Sequence, residues 1–238
     1  MATASPIRLD DSVAPSGTGS GRIRLTAAAL AASAASAVVL LSTTPWGDRL
    51  DSGADKILTY DTLLDVRDAA WPSMLLDSFA FAVIGLTLGL SVLHLASHRG
   101  RTAALIGAVL TTAGGILFAM GGAAFATFTW FVTADGLPGG AGESLVAYAN
   151  DHPGHLIGLN MVGFLMTTIG ALVLSAALIR ARAVPVPAVA TYVVLTLGQF
   201  TGLSGRTLDF LQIAMMMLLI GFAAVIWRRA RVQAFGSH

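Results

Sequence analysis

The sequence predicts an all-α polytopic membrane protein, a six-transmembrane-helix bundle with both termini cytoplasmic. Three observations carry that expectation. Of the 238 residues, 55% are hydrophobic and only 11% charged, too little charge to cover a water-facing surface. The apolar residues recur in six long runs separated by polar gaps, as a bilayer solvent requires. The Lys and Arg residues stand beside alternate ends of those runs.

Met1 to Gly21 is rich in Ser, Gly, Pro and Ala without an apolar period, and is expected to be a disordered cytoplasmic tail. Residues 22–231 then form one membrane domain, followed by a short cytoplasmic tail at 232–238. The first span, Leu25 to Ser42, follows Arg22 and Arg24 like the start of a signal peptide, but Ala34 to Ala37 run on into Val38-Val39-Leu40-Leu41, as a membrane helix would. The later spans are Pro72 to Ala96, Thr102 to Val132, Leu156 to Ile179, Pro187 to Leu203 and Leu208 to Trp227. At about 1.5 Å per residue each crosses about 30 Å of hydrocarbon, with the fifth at the short limit and the third over-long. Gly114-Gly115 and Gly121-Gly122 are expected to let the third span tilt or kink.

Orientation follows from the charges. With a cytoplasmic N-terminus the inner side holds Arg8, Arg22, Arg24, Arg99, Arg101, Arg180, Arg182, Arg228, Arg229 and Arg231, and the outer side Arg49, Lys56, Arg67 and Arg206 with most of the acids. Two outer connections are long enough to have shape. Between Asp55 and Trp71, Ile57, Tyr60, Leu63 and Leu64 oppose Asp61, Asp65 and Asp68 at helical spacing, which predicts a short helix lying on the outer surface as a cap. From Thr133 to His155, Gly136, Pro138 and Gly139-Gly140 predict a mobile loop with a brief helix over Glu143 to Ala149.

Several chemistries are excluded early. The absence of Cys removes disulfides, thiolate metal sites and cysteine nucleophiles. There is no basic face for nucleic acid, no phosphate loop, no HExxH and no dinucleotide fingerprint. No cofactor is indicated. The Arg bias, with Lys56 the single Lys, and the abundance of Ala and Gly suggest a GC-rich, bacterial genome.

An ionisable group inside an apolar span is costly to bury and needs a reason. Such polar groups are Asp77 and His94 in the second span, Asn160 in the fourth, Gln199 in the fifth, and Asp209 and Gln212 in the sixth. Asp209, Gln212 and Met216 share one helical face, and Asn160, Gly163, Thr167 and Ala171 form a small, partly polar stripe. If these faces converge with Asp77, they line an outward-opening polar pocket with Arg206 at its rim. Asp77 and Asp209 equally suit helix starts, where a carboxylate caps free N–H groups. His152 and His155 flank a Pro-Gly turn, a spacing that binds metal only with a third ligand, so no metal site is expected.

Ala177-Leu178-Ile179-Arg180-Ala181-Arg182-Ala183-Val184-Pro185 followed by an apolar span, together with the closing Trp227-Arg228-Arg229, resembles actinobacterial multi-helix integral membrane proteins of unknown function. That likeness covers about the C-terminal third and implies no activity. In size, helical build and acids in an apolar setting, the chain is also similar to small integral-membrane terpene cyclases. That second resemblance implies an isoprenoid-like substrate, one of Asp77 and Asp209 as proton donor, and the other, with Gln212 or Asn160, steadying developing charge. Phe79, Phe81, Phe125, Phe128 and Trp130 would flank a carbocation.

The leading expectation is a multi-pass cell-membrane protein that binds a small or lipid-like ligand, or serves as a transport, immunity or signalling accessory. Its partners are membrane lipids and a lipophilic small molecule. A membrane-embedded enzyme acting on a lipophilic substrate is the alternative.

Overall fold

The structure is a computed structural model that describes residues 18–43, 58–96, 99–203 and 205–235. Seven helices follow one another: α1 (Thr18–Thr43), α2 (Tyr60–Leu95), α3 (Arg101–Val132), α4 (Ala141–Asp151), α5 (Pro153–Ala181), α6 (Val186–Gly198) and α7 (Gly205–Phe235). There is no strand among the described residues. Stretches of α1, α2, α3, α5 and α7 are long and apolar enough to cross a membrane. At most half of any of these stretches is buried. Phe79, Phe210, Val194 and Val109 are 60–70% exposed on the perimeter, an arrangement that water penalises and lipid tails favour. The chain is a helical membrane protein.

Around the bundle the order is α7, α1, α2, α3, α5, α6, with α6 returning to α7. The main core joins Leu30 and Ala34 of α1, Leu88 and Val92 of α2, Leu174 of α5, Val189 of α6, and Leu219 and Ile226 of α7. Arg24 of α1 and Arg231 of α7 lie 4.7 and 5.8 Å from the Trp227 ring, so the start of α1 and the finish of α7 share one end of the bundle. We call this the arginine end, and the opposite one, near α4, the acidic end.

Helix α3 is a single helix whose glycine pairs serve two neighbours. Residues i and i+1 of a helix point about 100° apart, so the two members of each pair face different partners. A β-carbon on Gly107, Gly114 or Gly121 would strike α5 at Leu174, Thr167 and Asn160. One on Gly115 would crowd Ala82 of α2, and one on Gly122 would strike Ser78. Both series repeat every seven residues, the spacing that keeps one seam facing a neighbour along a helix pair. Backbones thus approach without side chains between them, as small residues permit in membranes.

Several expectations need correction. The cap helix expected between Asp55 and Trp71 is not separate: from Tyr60 onward it is the first part of α2, which runs through Pro72, while residues 55–57 lie outside the described residues. Thr59 caps it, accepting from the Thr62 N–H at 3.4 Å, and beyond Pro72 the Ser73 hydroxyl donates to the Ala69 carbonyl. At 36 residues α2 is about 54 Å long, well beyond the hydrocarbon layer. The fifth span, expected over 187–203, ends as a helix at Gly198, giving 13 residues or about 20 Å. Gly202, at φ +75°, takes a left-handed conformation that no continuing helix allows. The tail expected to be disordered through Gly21 is helical from Thr18, and α7 continues to Phe235 into the expected C-terminal tail.

At the acidic end α2 and α3 project together and pack with α4 around Leu58, Leu63, Val132 and Val146. The Asn150 amide closes this lobe by accepting from the Leu58 N–H at 3.0 Å and donating to the Leu58 carbonyl at 2.8 Å. Arg67 donates to the Thr133 carbonyl at 2.9 Å, pairs with Asp68 and Asp135 at 3.2 Å each, and lies 5.7 Å from the Trp130 ring. Those two carboxylates hold its guanidinium pKa above the ordinary value. Trp130 in turn meets Trp71 at 6.0 Å, an aromatic pair suited to a membrane boundary.

Candidate central cavity

The ring of helices encloses two connected chambers. The deeper one has a volume of about 120 Å³ and touches α1, α2, α3, α5, α6 and α7 through Ala37, Ile84, Thr111, Thr168, Tyr192 and Met216, among others. The larger, about 450 Å³, lies toward the acidic end and is lined by Met74, Ser78, Phe125, Ile157, Asn160 and Asp209 with their neighbours. Leu41, Asp77, Phe118 and Gln212 belong to both, so they form the waist between the chambers.

Most of the expected site residues therefore meet. Asp77 stands on α2 at the waist, and Gln212 faces it from α7. Asp209, 7% exposed and one turn earlier on α7, lines the larger chamber. Asn160 lines it too, while its amide donates to the Phe118 carbonyl at 3.3 Å and so also fastens α5 to α3. Arg206 is exposed at the beginning of α7 and lies outside the lining of both chambers. Of the aromatic residues, Phe81 and Phe118 pack with ring centres 4.3 Å apart in the deeper chamber and Phe125 lines the larger one. Phe79 faces outward, Trp130 packs on Trp71, and Phe128 belongs to the lobe at the acidic end.

Gln199 is not inside a helix but caps the end of α6, and it lines the deeper chamber. Its amide donates to the Met215 sulfur at 3.3 Å. Met215 is ten residues along α7 from Gly205, about 15 Å, so α6 stops well inside the bundle. Of the non-helical residues 199–203, Gln199 lines the deeper chamber, whereas Phe200 to Leu203 are exposed. The carbonyl end of a helix carries about half a negative charge. With Asp77 and Asp209, the end of α6 thus brings oxygen acceptors to the interior, and among the described residues no Lys or Arg appears in either lining.

Sequence reasoning placed Thr167 on the polar stripe of the fourth span but missed Thr111 and Thr196. Thr111 and Thr196 donate to carbonyls of their own helices, at 2.9 and 2.8 Å, which lets each enter an apolar wall without an orphaned hydroxyl. The Thr167 hydroxyl oxygen is buried, lines the deeper chamber and has no partner among the described residues, leaving it available to a bound molecule. The signal was present as Thr at intervals in apolar spans, but hydroxyls are too common there to single out.

The histidines take no part. His94 is exposed, His152 stacks on Tyr148 at 4.2 Å, and His155 lies 6.0 Å from His152. No cluster of three potential metal ligands occurs among the described residues. Comparison of the chain with protein-family models, with curated proteins and with solved structures finds no match.

Proposed function

We propose that this protein crosses the cell membrane six times with both termini in the cytoplasm, and holds a small lipophilic molecule in its central cavity. The observation that carries the reading is the polar waist, where Asp77 and Gln212 line both of two largely apolar chambers. The chambers offer apolar walls to hydrocarbon, and the waist offers acceptors to one polar group. The Asp77 carboxylate and the carbonyl end of α6 favour a hydrogen-bond donor or a positive charge on that group. The volume of the larger chamber lies in the range of small-molecule sites, about 300–1,000 Å³. The alternating arginines support the orientation, with α6 and the segment after it completing the fifth passage.

The test is mass spectrometry of small molecules retained by the detergent-purified protein. A lipophilic compound with an amine or hydroxyl group is expected from the native chain. Leu41→Trp, which fills the waist, should release it, and Asp77→Asn should weaken it by about tenfold or more, the loss typical of a hydrogen bond to a charged group. Phe79→Leu on the lipid face should leave it bound. Retention unchanged in Leu41→Trp would refute the site.

A second reading is enzymatic, and is favoured by the lining of one chamber by both Asp77 and Asp209, with aromatic rings nearby. One carboxylic acid kept protonated by its apolar setting would deliver a proton to an isoprenoid-like substrate while the other steadied positive charge. If Asp77→Asn and Asp209→Asn both leave turnover of an identified substrate intact, this reading fails.

A further inference from the structure

We propose that a groove at the arginine end, between the α2–α3 turn and the α5–α6 turn, binds the phosphodiester headgroup of an anionic phospholipid. The groove has a volume of about 670 Å³ and is lined by Arg99, Gly100, Ile179, Arg180, Arg182 and Val186. Two backbone features assemble it. Gly100, at φ +88°, turns the chain so closely onto α5 that a β-carbon there would lie 3.2 Å from the Ala177 carbonyl oxygen, which brings Arg99 beside the last turn of α5. Arg182 closes α5 at φ 50°, a left-handed conformation seldom adopted by a residue with a side chain, and its N–H returns to the Leu178 and Ile179 carbonyls.

Three guanidinium groups on one groove repel one another unless an anion sits among them. The described residues supply none. Among the described residues Arg99, Arg180 and Arg182 have no carboxylate partner, and every described Asp and Glu lies toward the acidic end. The general bias of arginine toward one membrane face accounts for their presence there but not for their convergence. Arg228 and Arg229 share the face and stay outside the groove. Beside the charges, Ile179 and Val186 are 40% and 50% exposed, an apolar flank that a free anion would not use and an acyl chain would. Arginine recognises phosphate oxygens in pairs, and basic pockets between helix ends suit anionic headgroups.

The experiment measures the thermal unfolding midpoint of the full chain in mild detergent, with added phosphatidylglycerol, phosphatidylcholine or inorganic phosphate, and lipid affinity by native mass spectrometry. Phosphatidylglycerol should raise the midpoint of the native chain and of Arg228→Gln/Arg229→Gln, but not of Arg99→Gln/Arg180→Gln/Arg182→Gln. Each groove arginine removed should weaken phosphatidylglycerol binding about fivefold. Equal stabilisation by phosphatidylcholine, or full stabilisation by inorganic phosphate alone, overturns the lipid assignment. So does an unchanged response of the triple variant. Should that variant not fold, Arg180→Gln alone decides: a fivefold loss supports the site and native affinity overturns it.

Discussion

Adding one methyl group at Gly114 should loosen the bundle, because the new carbon would meet the backbone of a neighbouring helix. A β-carbon there would lie 2.5 Å from Thr167 Oγ1, 2.6 Å from the Thr167 nitrogen and 2.7 Å from the Gly163 carbonyl oxygen. Two of these atoms are backbone and cannot swing aside. To reach an ordinary contact of 3.4 Å from the Thr167 nitrogen, α3 and α5 must separate by about 0.8 Å. A gap of about 0.5–1 Å forfeits a quarter to a half of each dispersion contact along the seam. Overpacking of this kind costs about 1–3 kcal/mol. Gly158 and Gly221 have nothing within 4 Å of the equivalent position, so Gly158→Ala and Gly221→Ala supply helical controls. Unfolding in mild detergent, followed by heat or by titration with a denaturing detergent, measures the difference. The partner test is Gly163→Ala, whose methyl would lie 2.6 Å from the Gly114 carbonyl oxygen. Once either methyl has parted the helices the second meets more room, so the double variant should lose less than the sum. If Gly114→Ala unfolds alongside Gly158→Ala, or the two seam variants add fully, the backbone-to-backbone account of this interface is wrong.

Asn150→Ala removes both bonds to Leu58 and should cost about 1–3 kcal/mol, seen as faster amide exchange over residues 58–66 rather than across the whole chain. Arg67→Met should destabilise less than Asn150→Ala, because both carboxylate partners are more than three-quarters exposed. The raised pKa of Arg67 leaves its contribution fully present below the ordinary guanidinium value and lost only above it, so a stability titration of native and Arg67→Met chains between pH 5 and 10 should run parallel. Reporter fusions at Gly139 and at His238 should fall on opposite sides of the membrane, and a shared side would contradict six passages.

Much of the architecture was legible because hydrocarbon thickness and charge placement are strong constraints. Arg22-Ile23-Arg24 and Trp227-Arg228-Arg229 announced ends that the structure brings together. Convergence of Asp77, Asn160, Asp209 and Gln212 stood in the sequence only as a condition, since Asp77 and Asp209 suited helix starts equally well, and it is the structure that lines one chamber with all four. What stayed hidden depended on tertiary contacts. Asp61, Asp65 and Asp68 opposite an apolar stripe read as a free-standing surface helix, yet Leu63 packs with Val132 and Val146, and α2 continues through the proline. The Gly114-Gly115 pair read as a place for tilt or a kink because glycine weakens an isolated helix, whereas its role in close packing against two neighbours needed the tertiary structure. The shortness of α6 was missed because Phe200 and Leu203 extend the apolar run past Gln199, and composition alone does not mark where hydrogen bonding stops.

The glycine seams of α3 also decide where the cavity can yield. Carbonyls and α-carbons pressed together on two sides leave no side chains to rotate away, so that wall is effectively welded. Should the cavity hold a guest as proposed, the thirteen-residue α6, loosely packed on α5 and α7, is where the ring can part most readily.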